Sequence, residues 1–301
     1  MKTKRAGIDD IREVLTMETR WMYYTSGTFD ELRKVSKETC IIPMGCVEKH
    51  GLHMALGTDI MVANKICYMA SQIEPVAVFP DFIFGDVPER LNEHTDGSVT
   101  LPVETQMLLL EQLCDQIYLN GFRKILIYNA HGGNGNWLNT FIRNLDNKNK
   151  KYTVAWFFVD EQAPHPMAKY LEENGSGSIP ELTDEDEELV IKYHKQNIVM
   201  GHACFGEAAY MMGIAPQTMR LDLLGRESGL PTGESAPYRK YGIRVKSDGW
   251  HLEYPNAYSG TDPYGVNERI GAAALRMEAE RFAKAIKFFK EDEKLLAMID
   301  K

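Results

Sequence analysis

The sequence has no long apolar run, no excess of positive charge and no closely spaced cysteines. Because no stretch of about 18 apolar residues occurs in the 301-residue chain, we expect neither a membrane-spanning helix nor a membrane partner. The net charge is −9 and the basic residues form no stripe, which argues against nucleic acid as a partner. The five cysteines are an odd number without CxxC spacing, a pattern typical of reduced thiols in a cytoplasmic protein.

The N-terminal segment and the composition bear on the location of the protein and on its number of domains. The segment MKTKRAGIDDIREVL is basic but lacks the apolar stretch of a signal peptide, so we predict a cytoplasmic location. Hydrophobic residues make up 44 % of the chain, which is enough for one large core or two modest ones. Internal repeats and low-complexity linkers are both absent from the sequence. We therefore predict a single domain that spans residues 1–301.

Apolar patterns predict an alternation of strands and helices. Three short apolar runs have the character of buried strands: 39–45, 123–129 and 153–159. Helical spacing predicts amphipathic helices over 59–73, with Asp59 as the N-cap, and over 104–120. Because helix and strand alternate after residue 104, we predict an α/β layered fold with a mainly parallel central sheet flanked by helices.

The second half of the chain is less regular. Segment 172–190 starts as a Gly/Ser loop and turns acidic, and we predict that the acidic run opens a helix at Thr183. Negative side chains are favourable there because the helix dipole is positive at its N-terminal end. Residues 222–265 are rich in Gly, Pro and Tyr, which predicts long loops. A long helix over 266–289 closes the chain.

Ionisable side chains cluster where the predicted strands end. Glu48 and His50 follow the first strand, and an extended backbone sends residues two apart to the same side. Asp59 stands at the start of the next helix, and His131 follows the second strand in NAHGGNGN. Ligands of parallel α/β sheets collect at the carboxyl ends of strands. This mixture of imidazole and carboxylate suits a divalent ion such as Zn²⁺ or Mn²⁺.

Each of these features has an alternative interpretation. Glu48 could be an exposed acid, Asp59 a helix cap, and His131 a side chain that forms hydrogen bonds within its loop. The HGGNGN stretch follows a strand and opens a predicted helix, as a phosphate-binding loop does. It has neither GxGxxG spacing nor a Lys-Ser/Thr ending. A non-catalytic nucleotide-binding α/β protein is the corresponding alternative function.

The motifs resemble those of the creatininase (creatinine amidohydrolase) family. MGCVEKHGLHMALGTD and YNAHGGNGN are similar to the family's G-x-x-E-Q-H-G-P-H-L-P-L-x-T-D and its later N-G-H-G-G-N. Further similar segments are NEHTDGSVTLPVET (92–105), GHACFGEAAYMMGIAP (201–216) and SGTDPYGVNERIG (259–271). The resemblance covers about residues 39–290. It implies a creatininase-like fold of the HGGN type.

The resemblance also implies a set of site residues. Five metal ligands are expected, with Asp59 bridging two divalent ions: Glu48, His50, Asp59, His131 and Glu207. Creatininase itself has a Glu two residues after the loop His, where this chain has Gly133, so Glu207 is expected to take its place. His202 matches the family's catalytic His.

Several positions depart from the family pattern without touching an expected ligand. Lys49 stands where Gln is usual, Leu52 and Ala55 replace prolines, and Ala208-Ala209 replaces Thr-Ser. The tryptophan that creatininase carries just before its catalytic His is absent. These departures leave the expected metal ligands in place but put the identity of the substrate in question. We therefore do not assume that creatinine is the substrate.

The implied function is a metal-dependent amidohydrolase with two Zn or Mn ions per chain. A metal-bound hydroxide would attack the carbonyl of a small cyclic amide or formamide-type substrate, and His202 would protonate the leaving group. The alternative within the family is a C–C hydrolase that opens a cyclic polyol ketone of the dehydro-inosose type. The loop SDGWHLEYPNAYSG (247–260) would suit such a ring, or an oligomer contact equally. The resemblance further implies a homo-oligomer, expected to be a hexamer.

Overall fold

The computed structural model describes residues 17–87, 97–159, 161–196, 201–245 and 249–300. The N-terminal segment MKTKRAGIDDIREVL, in which we found no signal peptide, lies outside the described residues, and so does the 92–96 part of the segment 92–105. Within them, four parallel strands form one sheet in the order β2-β1-β3-β4. No described helix combines the length and the apolar character that crossing a membrane requires.

Three of the four strands lie close to their predicted positions, and β2 is an additional strand that was not predicted. Their bounds are β1 Thr39–Met44, β2 Ala77–Val78, β3 Lys124–Asn129 and β4 Thr153–Phe158. The pairing aligns Met44 with Asn129 and Asn129 with Phe158, so the carboxyl ends of β1, β3 and β4 are level. The sheet thus confirms the predicted α/β fold with a parallel centre.

Eleven α-helices surround this sheet in the described part of the chain. Their bounds are α1 Phe29–Ser36, α2 Thr58–Ile73, α3 Val103–Leu119, α4 Asn134–Asp146, α5 His165–Asn174, α6 Asp184–Lys195, α7 Phe205–Ile214, α8 Ala236–Lys240, α9 Trp250–Glu253, α10 Glu268–Glu291 and α11 Lys294–Ile299. The predicted helices correspond to α2, α3, α6 and α10. The described residues of segment 222–265 are mainly loop, and the α-helices among them are the short α8 and α9.

Side chains of the sheet alternate between two hydrophobic clusters, as successive residues of a strand point to opposite faces. Ile41 belongs to the first cluster, together with residues of α2, α7 and α10 such as Phe205 and Phe282. Ile42 belongs to the second, together with residues of α1, α3 and α4 such as Leu110. Helices therefore cover both faces of the sheet, and β1 and β3 are mainly apolar because both of their sides are buried, whereas β4 is only partly buried and ends at the exposed Phe158.

One predicted helix start is wrong in detail. The helix α2 begins at Thr58 with Gly57 as its N-cap, and no side chain caps it. Asp59 lies inside the first turn and is buried, and its carboxylate contacts His50 and His131 instead of capping the helix. At α6, by contrast, Thr183 is the N-cap and forms a capping box with Asp186, as the acidic run predicts.

Candidate metal centre

The sheet brings together side chains from four separate segments at the carboxyl ends of its strands. Glu48 and His50 lie in the loop between β1 and α2, and Asp59 lies in the first turn of α2. His131 follows β3 by two residues, and Glu207 lies in the first turn of α7. All five side chains are buried. The structure thus brings together every residue that we predicted as a metal ligand.

One half of this cluster consists of Glu48, Asp59 and His131. The Nδ1 atom of His131 lies 2.8 Å from Glu48 Oε1 and 2.9 Å from Asp59 Oδ2. Glu48 Oε1 is nevertheless a buried atom without a hydrogen-bond partner. A buried carboxylate oxygen without a partner is costly. The contact with His131 lacks hydrogen-bond geometry, as expected when both atoms face a shared cation rather than each other.

The other half consists of His50, Asp59 and Glu207. His50 Nε2 lies 3.0 Å from Asp59 Oδ1 and 3.6 Å from Glu207 Oε2. The two carboxylate oxygens of Asp59 therefore face different halves of the cluster, Oδ1 towards His50 and Oδ2 towards His131. Ligand atoms in each half lie within 4.8 Å of one another, a spacing that permits binding of a metal ion.

Backbone groups orient both imidazole rings. His50 Nδ1 donates to the carbonyl of Glu48 at 3.1 Å, and His131 Nε2 donates to the carbonyl of Asp86 at 2.9 Å. In each ring the other nitrogen is then the one that faces the cluster and can offer its lone pair. This is the arrangement in which histidines usually bind metals, since a carbonyl partner fixes both the tautomer and the ring orientation.

The backbone around Gly133 leaves no room for a side chain. A Cβ atom at Gly133 would lie 2.2 Å from the carbonyl oxygen of Asp86 and 2.5 Å from His131 Nε2. No side chain fits at such distances, so a Glu at this position is sterically excluded. Glu207 reaches the cluster from α7 instead, and its Oε2 accepts a hydrogen bond from the backbone N–H of Ala203 at 2.6 Å.

The electrostatics of the cluster favour added positive charge. Burial disfavours protonation, but Asp59 and Glu207 raise the pKa of His50 to about 10. Burial also disfavours protonation of His131, but the neighbouring Glu48 outweighs it and raises the pKa of His131 well above its usual value. Burial raises the pKa of Glu207 despite the nearby His50. Because three carboxyl groups share this space, a divalent cation matches the donor set in both charge and ligand chemistry.

His202 lies at the rim of the cluster. Its ring centroid is 4.1 Å from that of His50, and its Nδ1 is 3.7 Å from Glu48 Oε1. Its Nε2 donates to the backbone carbonyl of Lys49 at 2.6 Å, so Nδ1 is the ring nitrogen that can accept or donate a proton in a reaction. The next residue, Ala203, has a left-handed backbone with φ 61°, a strained conformation often found at functional sites.

A cavity of about 710 Å³ opens onto the cluster. Glu48, Asp59, His131, His202 and Glu207 line it together with polar and apolar side chains from other segments, among them Asp86, Asn136, Phe158, Gln162, Tyr210, Val245 and Trp250. The size suits a small-molecule ligand.

The sequence argument proposed the loop 247–260 for a substrate ring or an oligomer contact, but it did not identify Trp250 or Cys46 as neighbours of the site. The Trp250 ring lies edge-on to His202, with 5.8 Å between centroids, although the two residues are 48 positions apart. Cys46 Sγ lies 3.1 Å from Asp59 Oδ2. Trp250 reaches the site through the path of a long loop, and Cys46 through the direction of a single buried side chain. Neither feature produces a periodic pattern in the sequence, so neither contact was predictable.

Fold and site together define an α/β protein with a buried carboxylate–imidazole centre at the carboxyl edge of a parallel sheet. The sequence profile of the creatininase family, described as creatinine amidohydrolase, matches residues 23–286. The chain therefore belongs to the creatininase family, as its motifs predict.

Individual relatives are distant in sequence and close in fold. A creatinine amidohydrolase of Pseudomonas putida is 21 % identical over 125 residues, which are 40 % of this chain and 45 % of that protein. The matched region thus spans less than half of this curated relative. A putative creatinine amidohydrolase of Bacteroides fragilis is 19 % identical, with a TM-score of 0.64 over 92 % of this chain and 99 % of the other.

Two further solved structures name their metals. A creatininase variant described as Zn-Zn type is 14 % identical, with a TM-score of 0.67 over 92 % of this chain and all of the other. A structure described as creatininase Mn is 15 % identical, with a TM-score of 0.66. At these identities the likeness establishes the shared fold.

Proposed function

We propose that the protein is a metal-dependent hydrolase that cleaves a carbonyl C–N bond in a small cyclic amide or formamide-type substrate. The observation that carries this proposal is the presence of two groups of potential metal ligands that share Asp59, whose Oδ1 faces His50 and whose Oδ2 faces His131; a third group, Glu48, His50 and His202, overlaps both. Membership of the creatininase family supports it.

Two divalent ions, Zn²⁺ or Mn²⁺, would be held by these side chains. Glu48 and His131 would serve one ion, His50 and Glu207 the other, and Asp59 both. When bound, such ions supply Lewis acidity and a water of lowered pKa. The relatives described as Zn-Zn type and Mn support this choice of metals.

His202 would move the proton in this reaction. Its Nε2–H is engaged by the Lys49 carbonyl, which fixes the tautomer and leaves Nδ1 to exchange a proton with the substrate. Nδ1 lies beside Glu48, so a proton taken up during attack can pass to the leaving nitrogen without a large ring movement. His202 is partly buried, whereas the ligands around it are fully buried.

The cavity wall favours a flat, small substrate close to His202. Trp250 presents its indole to the cavity next to His202, and Val245 and Phe158 add apolar surface. Such walls hold a ring in place and displace water from the carbonyl, while the polar cluster below recognises its oxygen. Creatinine itself is not proposed, since the departures from the family pattern lie near the site.

A second candidate reaction is the hydrolytic C–C cleavage of a cyclic polyol ketone. The observation in its favour is the polar part of the cavity lining, where Asn136, Gln162 and Asp86 offer hydrogen-bonding groups in the same cavity as Trp250. A polyhydroxylated ring would use these groups and stack on the indole face.

One experiment tests both reactions. The protein is purified without chelator, reloaded with Zn²⁺ or Mn²⁺, analysed for metal, and incubated with a panel of cyclic amides and keto-inositols. Formation of a ring-opened product with both a new amine and a new carboxylate from a cyclic amide supports the first reaction, and a ring-opened acid from a keto-inositol supports the second. A reloaded protein that contains no metal would contradict the proposal as a whole.

A further inference from the structure

Cys46 borders the metal centre but belongs to neither of the two hydrophobic clusters described above. Its side chain is fully buried. Three other buried cysteines, Cys40, Cys67 and Cys114, are members of those clusters. Apolar packing therefore accounts for these three thiols, whereas the surroundings of Cys46 are polar.

The atoms around the Cys46 thiol are potential metal ligands. Its Sγ and ligand atoms of Glu48, Asp59 and His131 all lie within 4.8 Å of one another. Among them, Glu48 Oε1 is buried and has no hydrogen-bond partner, so one member of the group is left for a ligand that the protein itself does not supply. The backbone packs closely on this side, since a Cβ at Gly85 would lie 2.5 Å from Cys46 Cβ.

We propose that Cys46 is the fourth protein ligand of the Glu48–Asp59–His131 half, and that this half therefore prefers Zn²⁺ to Mn²⁺. The inference rests on the metal-dependent function proposed above and adds a residue that the family resemblance does not assign. Thiolate ligands favour zinc, whereas carboxylates and water suit manganese. The His50–Asp59–Glu207 half has only nitrogen and oxygen donors and gains no such preference.

Binding at the thiol is a proton exchange without oxidation. In the ion-free protein the Cys46 thiol donates its hydrogen to Asp59 Oδ2, with 3.1 Å between Sγ and the oxygen. When Zn²⁺ binds, the S–H bond breaks, the proton passes to solvent, and a sulfur lone pair is donated to the ion.

Cobalt(II) is the probe for this assignment, since it replaces zinc and absorbs in the near ultraviolet when a thiolate binds it. Metal-stripped protein is titrated with Co²⁺ alone. We expect the sulfur-to-cobalt absorption in the unchanged protein and its loss in Cys46→Ala and Cys46→Ser. Cys114→Ala is the matched control, because it removes an equally buried thiol away from the centre and should keep the absorption.

Metal competition gives a second readout. Since Zn²⁺ outcompetes Mn²⁺ at most protein sites, the comparison is between variants: after dialysis against equimolar Zn²⁺ and Mn²⁺, elemental analysis should find a higher zinc-to-manganese ratio in the unchanged protein than in Cys46→Ser. Because loss of even an outer partner of a metal ligand lowers affinity about 10–100-fold, Cys46→Ser should reduce the zinc preference at least about tenfold.

The outcomes separate this inference from the proposed function. Cobalt binding without the thiolate absorption in the unchanged protein would overturn the role of Cys46 and leave the metal-dependent function standing. Absorption that persists in Cys46→Ser would assign the signal to another cysteine and also overturn it. A protein that binds none of the three metals would overturn the proposed function as well. If Cys46→Ala does not fold, Cys46→Ser retains nearly the same volume and decides the question.

Discussion

His202 and Glu207 are five residues apart and face the same cluster, yet their proposed roles differ. We expect His202→Ala to keep its metal and to lose about 10²–10⁴-fold in turnover, because general acid–base help disappears while the ligands stay. Glu207→Ala should lose one ion per chain together with activity. Metal content and turnover must be measured on the same samples, since activity alone does not distinguish the two variants.

Glu207→Gln serves as the matched control for this prediction. An amide oxygen can still accept the hydrogen bond from Ala203, so the start of α7 is maintained while the carboxylate charge is lost. The ion should be lost from this variant too. If His202→Ala were metal-depleted and Glu207→Ala metal-replete, the two roles would have to be exchanged.

The neighbouring glycines Gly133 and Gly132 differ in the space around them, which leads to a second prediction. Alanine at Gly133 would place a Cβ 2.2 Å from a backbone oxygen, whereas a Cβ at Gly132 has no heavy atom within 4 Å. We expect Gly133→Ala to lower the free energy of unfolding by about 1–3 kcal/mol and to deplete metal, since the neighbouring His131 must shift. Gly132→Ala should be close to unchanged in both measurements, which are urea unfolding and elemental analysis. Equal behaviour of the two variants would show that the loop relaxes freely.

Among the helices, α6 and α10 are joined at their N-terminal ends by Asp186. Its carboxylate accepts hydrogen bonds from Thr183 N at 3.0 Å, from Asn267 Nδ2 at 2.6 Å and from Arg269 Nε at 2.6 Å. Charge-assisted bonds of this kind contribute about 1.5–3 kcal/mol each when they are buried. Because Arg269 is itself largely exposed, we expect Asp186→Asn to lower the free energy of unfolding by only about 1–2 kcal/mol at neutral pH.

This contribution depends on pH in a defined direction. Burial disfavours ionisation of Asp186, but Arg269, Thr183 and Asn267 outweigh it and hold its pKa well below the usual range. A carboxyl with a lowered pKa in the folded state stabilises the fold above its unfolded pKa of about 3.9 and loses that effect as pH falls below it. The difference in unfolding free energy between the unchanged protein and Asp186→Asn should therefore shrink between pH 5 and pH 2. The exposed neighbour Asp184, replaced by Asn, is the control; a difference that stays constant down to pH 2 would contradict the prediction.

The helices also show what the sequence could and could not predict. Helices α2 and α10 have a polar side, so apolar spacing predicts them. Helix α7 is buried over Phe205–Met211 and lacks the alternation on which such a prediction depends. Strand β2 has only two residues, too few for any pattern. Among site residues, the ligand motifs were readable because they lie next to strand ends, whereas Trp250 enters the cavity from a long loop whose path depends on tertiary packing.

On the scale of the whole molecule, the metal centre joins distant parts of the chain. Glu48 and Glu207 are separated by 159 positions, and Asp59 and His131 come from two further segments between them. The unfolded chain cannot bring these side chains together, so it cannot bind the ion as the folded chain does. Metal binding therefore contributes to the free energy of folding. The predicted single domain then implies that one ion-dependent transition unfolds the entire chain.

Calorimetry of the metal-free and the reloaded protein tests this coupling. An ion at 100 times its dissociation constant stabilises the folded state by about 2.7 kcal/mol, which corresponds to an increase in Tm of about 5 °C for a chain of this size. We expect a single transition in both samples, at the higher temperature after reloading with Zn²⁺. Asp59→Asn keeps the shape of the side chain but removes the charge that faces both halves of the centre, so metal should leave its Tm nearly unchanged. Two transitions, of which metal shifts only one, would mean that the chain unfolds as two independent units and that the predicted single domain is wrong.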